Sequence, residues 1–264
     1  ILGLSVSRSG CLAANGRSQM HLSGDFGETW QGILYGKSYG LGDGLAIKFL
    51  SHDDSNQTII ATDANSGDLY YSNNLGKDWE SATGLIDIEH SLFEESFGIH
   101  IVEEATSNPM VLYAGYIQSK IKGQDPHQLD EIEQSPGMYK SIDGGMSWFP
   151  INNGLPDKDY SRNISDIAVS KQNENIVYIN SLFDGLYYTV DGGESWNHLK
   201  GELPAGLSWD DCGHTCVNEE GERIDMEDME PSEMILRKHA MSVAVNPQND
   251  QEIFLGTNVH GVYK

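Results

Sequence analysis

Three groups of residues have types and spacings that could do chemistry. The first is a box of hydroxyl, carboxylate or amide, glycine and tryptophan that occurs at Ser23-Gly-Asp25-Phe-Gly27-Glu-Thr-Trp30, Ser72-Asn-Asn74-Leu-Gly76-Lys-Asp-Trp79, Ser141-Ile-Asp143-Gly-Gly145-Met-Ser-Trp148 and Thr189-Val-Asp191-Gly-Gly193-Glu-Ser-Trp196. The second is Cys212-Gly-His214-Thr-Cys216, followed by a carboxylate-dense run from Glu219 to Glu230. The third is a set of side chains suited to holding a ligand: Trp209 with Asp210 and Asp211, then Tyr116, His127 and Tyr160.

The box has a local physical reading. A tight turn between two strands leaves backbone N–H groups without ladder partners, and an Asp or Asn side chain accepts from them with help from the Ser or Thr hydroxyl. Glycine supplies positive φ without a Cβ penalty. Tryptophan opens the next strand, buries its ring against the sheet and gives its indole N–H to an acceptor. Asp143 or Asp191 could be read as catalytic, but the same residues recur where nothing else does, so the box is expected to tie a hairpin.

The two cysteines lie four apart in a polar insertion, which favours a local Cys212–Cys216 disulfide in an oxidising compartment. Zinc is the rival reading, with His214 as a third ligand, but no second Cys/His pair lies near to complete four ligands. We therefore assign no metal and no cofactor. The acidic run could hold calcium, which takes about six to eight oxygen ligands, although its spacing is not that of an EF-hand.

Stepping outward, the boxes open at Ser23, Ser72, Ser141 and Thr189, so a unit of about 45 to 50 residues recurs, once with an insertion. Each box follows short apolar runs separated by turn residues. In the fourth unit these are Ile164-Ser-Asp-Ile-Ala-Val-Ser170, Ile176-Val-Tyr-Ile179 and Gly185-Leu-Tyr-Tyr-Thr189. Runs this short, rich in β-branched and aromatic residues, read as strands. A fifth unit starts at Met241 and reaches Gly261-Val-Tyr-Lys264, where the sequence stops one residue before a box would open.

The boxes resemble the Asp-box, or bacterial neuraminidase repeat, of β-propellers, found in sialidases, sortilin-type receptors, xyloglucanase-type enzymes and the photosystem II assembly factor family. The resemblance implies an all-β propeller of four-stranded antiparallel blades, with about five units visible and the last truncated. We place those units at about 1–40, 41–96, 97–160, 161–200 and 238–264, with insertions at about 116–136 and 200–237. A sialidase of this kind would carry an Arg-Ile-Pro motif and an arginine clamp for the substrate carboxylate. Here Arg-Ile occurs only as Arg223-Ile-Asp225, so that activity is not expected.

In such a blade the boxes share one face of the disc with the loops joining first and second strands. The insertions fall on the opposite face, where binding residues on a rigid scaffold collect. The expected function is a non-enzymatic binding scaffold that recognises a protein or glycan there through Trp209, Asp210, Asp211, Tyr116, His127 or Tyr160. A glycoside hydrolase fragment using paired carboxylates is the alternative. A formal net charge of −24, from 40 acidic against 16 basic residues, disfavours nucleic acid. No apolar run approaches the roughly 18 residues of a membrane span. The termini read as those of a processed or partial chain that belongs to a larger complex or chain, and the expected location is extracellular, cell-surface or periplasmic.

Overall fold

A computed structural model describes residues 3–7, 10–15, 20–33, 47–51, 58–62, 68–85, 98–117, 137–156, 162–181, 185–199, 216–217, 223–224, 240–257 and 261–264. These residues form β-strands and turns, with no α-helix among them. The first sheet is β1 (Gly3–Val6), β2 (Leu12–Asn15), β3 (Met20–Ser23) and β4 (Gln31–Ile33), and the second is β5 (Ile47–Phe49), β6 (Ile59–Thr62), β7 (Leu69–Ser72) and β8 (Glu80–Ser81). The third holds β9 (Gly98–Glu104), β10 (Leu112–Ile117), β11 (Met138–Ser141) and β12 (Phe149–Pro150), and the fourth β13 (Ile164–Val169), β14 (Val177–Ser181), β15 (Gly185–Thr189) and β16 (Asn197–His198). A short hairpin of β17 (Cys216–Val217) and β18 (Arg223–Ile224) precedes the fifth sheet, which is β19 (Ala240–Asn246), β20 (Asn249–Thr257) and β21 (Gly261–Tyr263).

Within each sheet neighbours in sequence are neighbours in space and run antiparallel. The first strands β1, β9, β13 and β19 each touch the first strand of an adjacent sheet, and Lys48 of β5 reaches Glu103 of β9. The sheets therefore stand side by side as blades with their first strands innermost. The second strands of the second and fourth blades, β6 and β14, are buried along their whole length, because a neighbouring sheet covers each face. Fourth strands are only two or three residues long and lie at the rim.

The core is a series of slabs between consecutive blades. Ile60 and Leu69 of the second blade pack against Val102, Leu112 and Trp148 of the third. Tyr113 and Met138 of the third pack against Ile167, Val177 and Trp196 of the fourth. Each such Leu, Ile or Val contributes about 1.5–3 kcal/mol when fully buried.

The pairing register makes Leu4, Ile47, Val102, Ile167 and Val243 one repeated position. Ile47 is 8% exposed, whereas Leu4 is 59% exposed, because no described sheet covers that flank of the first blade. Val262 of β21 is likewise exposed, although its counterparts Leu69, Met138 and Leu186 are fully buried.

Candidate functional site

The recurrent turns close in the same way in the four blades that carry a box. The Ser or Thr hydroxyl accepts the N–H of the glycine four residues on, at 2.8 Å for Gly27 and Gly76, 2.9 Å for Gly145 and 3.0 Å for Gly193. It also donates to the following carboxylate or amide oxygen, at 2.7 Å from Ser23 to Asp25 and 2.8 Å from Ser141 to Asp143. That oxygen in turn accepts a backbone N–H four residues on, from Thr29, Asp78, Ser147 and Ser195. Two successive residues take positive φ, Gly144 and Gly145 in the third turn and Gly192 and Gly193 in the fourth. In the first two turns the leading position is Phe26 (φ 59) or Leu75 (φ 57), a conformation that costs about 1–2 kcal/mol outside glycine.

These bonds hold the carboxylates ionised. The Thr29 hydroxyl and amide, then the Ser23 hydroxyl, bring Asp25 from 3.8 to about 2, and the Ser195 and Thr189 hydroxyls do the same for Asp191. For Asp143 partial burial pushes upward, but the Ser147 hydroxyl and amide outweigh it and the net shift is downward. A carboxylate so depressed, with its oxygens already accepting from its own turn, is a weak base near neutral pH. Its role here is to close the hairpin.

The tryptophans differ between turns. Trp148 and Trp196 are buried at 3% and 4% exposure, while Trp30 is 43% exposed. Every indole N–H nonetheless has an acceptor: Gly27 O, Gly76 O and Gly145 O within the first three turns, and Ile151 O of the preceding blade for Trp196.

The joints between blades use residues that the sequence reading did not single out. After β8 the Thr83 N–H donates to Met146 O and the Thr83 carbonyl accepts from Trp148 N. After β12 the Asn153 carbonyl accepts from Trp196 N, and its Nδ2 donates to Glu194 O. Gly84 and Gly154 follow at positive φ, and a Cβ there would lie 2.0 Å from Trp148 O and 2.3 Å from Trp196 O. The signal was present as Thr83-Gly-Leu85 and Asn153-Gly-Leu155, whose glycines lie five and six residues after Trp79 and Trp148.

Innermost strands are latched by side chains. Ser5 Oγ accepts Phe49 N–H at 2.9 Å, Lys48 Nζ pairs with Glu103 at 2.6 Å, and Glu104 accepts Ser51 N–H at 2.7 Å. Asp166 accepts Val243 N–H at 2.8 Å, and burial pushes its carboxyl above the ordinary value.

Of the residues proposed for ligand contact, Tyr116 requires a correction. It is buried in the slab between the second and third blades, beside Tyr139 and Trp148, so its ring fills core and is not presented to a ligand. Trp209, Asp210, Asp211, His127 and Tyr160 lie outside the described residues, as do Cys212, His214 and most of the 219–230 acidic run. Cys216 is described only as part of β17, paired with Ile224. Among the described residues no three His, Cys, Asp or Glu side chains converge as metal ligands would.

The two faces of the disc are nonetheless defined. Gly144 N–H donates to Met110 O and Gly192 N–H to Asn175 O, which sets each box against the loop joining first and second strands of its own blade. Ser141 pairs with Leu112 at one end of the third sheet, and Met138 with Gly115 toward the other. The 118–136 connection therefore leaves and re-enters opposite the box, and the 200–239 connection enters β19 at the end remote from its own turn at Pro247 and Gln248.

No family model matches the sequence, and neither does any curated protein. Solved structures do resemble it. A GH74 enzyme of Niastella koreensis superposes with a TM-score of 0.63 at 16% identity, over 98% of this chain and 35% of the enzyme. YCF48 from Cyanidioschyzon merolae gives 0.54 at 15% identity, over 98% of this chain and 66% of that one. A YCF48 bound to a D1 peptide gives 0.53 at 12% identity, over 98% and 61%. The chain is thus a β-propeller that spans about a third of the GH74 enzyme and just under two thirds of the YCF48 proteins. At this identity the likeness carries the fold alone.

Proposed function

We propose that the chain is a non-enzymatic binding scaffold of the Asp-box type, which recognises a protein or glycan partner through the face that bears its long connections. The supporting observation is the position of those connections: 118–136 and 200–239 both return to the sheets at the end away from the boxes. A rigid disc with one elaborated face is the usual arrangement of a recognition module. Trp209, Asp210 and Asp211 are the contact residues in this reading, with His127 and Tyr160 beside them. The Cys212–Cys216 disulfide pins the longer connection, and the protein works outside the cytoplasm.

Affinity capture with the intact chain and with a variant lacking residues 200–237 tests the proposal. A partner retained by the first and lost from the second, at equal thermal stability, is the expected outcome. Alkylation before and after reduction should show two further modified thiols on Cys212 and Cys216.

The likeness to GH74 enzymes supports a second reading, a part of a xyloglucanase-type hydrolase using paired carboxylates. Release of reducing sugar from xyloglucan by the purified protein would favour that reading over the scaffold.

A further inference from the structure

The third box breaks the polar pattern of its own repeat. The position after the leading hydroxyl is Gly24 in the first turn and Asn73 in the second, but Ile142 in the third and Val190 in the fourth. The position before the second hydroxyl or carboxylate is Glu28, Lys77 and Glu194 in the other turns, but Met146 here. In the abutting loop, the residue whose carbonyl accepts the turn glycine N–H is Asn175 in the fourth blade and Met110 in the third. Ile142, Met146 and Met110 are 61%, 44% and 39% exposed. The turn needs only the backbone at these places: Met146 N–H donates to Asp143, Met146 O accepts from Thr83, and Met110 O accepts from Gly144. Three apolar side chains are therefore exposed on this one turn and the loop bonded to it, although the turn itself makes no use of them. Val190, the equivalent of Ile142 on the next box, is exposed as well.

The surround is anionic on both sides. Toward the second blade, Glu80 accepts from the Tyr71 hydroxyl at 2.8 Å, three residues before Thr83, whose N–H donates to Met146 O. Toward the fourth blade, Glu174 reaches back to Ser107 Oγ at 3.2 Å, in the same loop that carries Met110. Lys140 is half-buried, bonded to Gly192 O and held over the Tyr113 ring; it offsets part of the Glu174 charge and leaves the Glu80 side uncompensated by it.

We propose that this patch is a second recognition surface, on the box face, and that its occupant is a basic segment of a partner protein carrying interspersed apolar side chains. Methionine suits such a surface because its unbranched, polarizable side chain adapts to different apolar partners. The flanking carboxylates select a cationic segment and exclude an acidic one or an anionic membrane. The surface is independent of the connection-bearing face.

The test uses the full chain and a labelled peptide of alternating lysine and leucine, with lysine/serine and glutamate/leucine peptides as controls, read by fluorescence anisotropy. The lysine/leucine peptide should bind, more weakly as salt rises, and neither control should match it. Ile142→Ser with Met146→Ser should weaken binding by roughly tenfold or more at an unchanged unfolding midpoint, as loss of a central apolar contact does. Glu80→Gln should weaken it less and flatten its salt dependence. Deletion of 200–237 should leave it intact, which separates this result from the outcome for the connection-bearing face. Equal binding of the lysine/serine peptide, or binding that survives the double substitution, would overturn the proposal, since net charge alone would then explain the attraction.

Discussion

The joint between the third and fourth blades and the open flank of the first carry the same turn in different surroundings. At the joint, Trp196 is buried against Ile151 and Leu155 and donates to a carbonyl of the preceding blade. On the flank, Trp30 keeps its bond to Gly27 O inside its own turn, and its ring faces solvent. The hydroxyl and carboxylate bonds within the turn are the same in the two places, whereas the indole acceptor and the burial are not. The turn is thus a local device that forms wherever the box occurs, and its energetic weight depends on whether another sheet covers the tryptophan.

The strongest way to break this contrast is to truncate both rings. Trp196→Ala should cost about 3–5 kcal/mol in urea unfolding, and Trp30→Ala roughly 1 kcal/mol or less. Equal losses would mean that the turn itself, and not the covering sheet, sets the stability. Any fraction of the Trp196 variant that remains folded should keep its partner binding.

Next in size is the glycine that lets one blade approach the next. Gly84→Ala should destabilise by at least about 2 kcal/mol, because the added methyl meets a backbone carbonyl at positive φ. Gly24→Ala, with nothing within 4 Å and lying on the open flank, should stay within about 0.5 kcal/mol. A harmless Gly84 substitution would show that the joint yields easily.

Acid sharpens the comparison further. The depressed carboxyls of Asp25 and Asp191 favour the folded state above the unfolded value of 3.8, and that contribution is lost as pH falls from about 4 through about 2. Asp191→Asn, which retains an acceptor as Asn74 does in the second turn, should flatten the stability profile over that window. Asp25→Asn should do so to a similar degree, since both shifts come from bonds within the turn. Thermal midpoints measured across this range in the three proteins would decide the point.

The smallest effect concerns strain. Phe26 is exposed and held at φ 59, so Phe26→Gly should gain up to about 1 kcal/mol, seen as a small upward shift of the unfolding midpoint. A loss would mean that the ring contributes packing, against the residues around Gly10, that outweighs the backbone strain.

Strand positions and turns were legible because each rests on neighbours in sequence. The hydroxyl of Ser141, the carboxylate of Asp143 and the amides of Gly145 and Ser147 lie within one turn, so their types disclose their bonds. Tyr116 was misread for the opposite reason. It ends a run, Leu112-Tyr-Ala-Gly-Tyr116, in which successive side chains point to opposite faces, and both faces are covered by other blades. Alternation cannot distinguish a surface aromatic from one enclosed on both sides. The apolar trio at Met110, Ile142 and Met146 escaped notice as well, since Met110 is remote from the box in sequence and meets it only through the Gly144 bond.

By itself the sequence determined the hairpins, their left-handed glycines and the ionised state of their carboxylates, because every partner in those bonds lies within a few residues. Only the tertiary structure decided which tryptophan is buried, which carbonyls Gly84 and Gly154 approach, and which side chains are left in solvent beside the third turn. Those outcomes depend on a neighbouring blade whose contacting residues are tens of positions away, and burial is a property of that pairing and not of either segment alone.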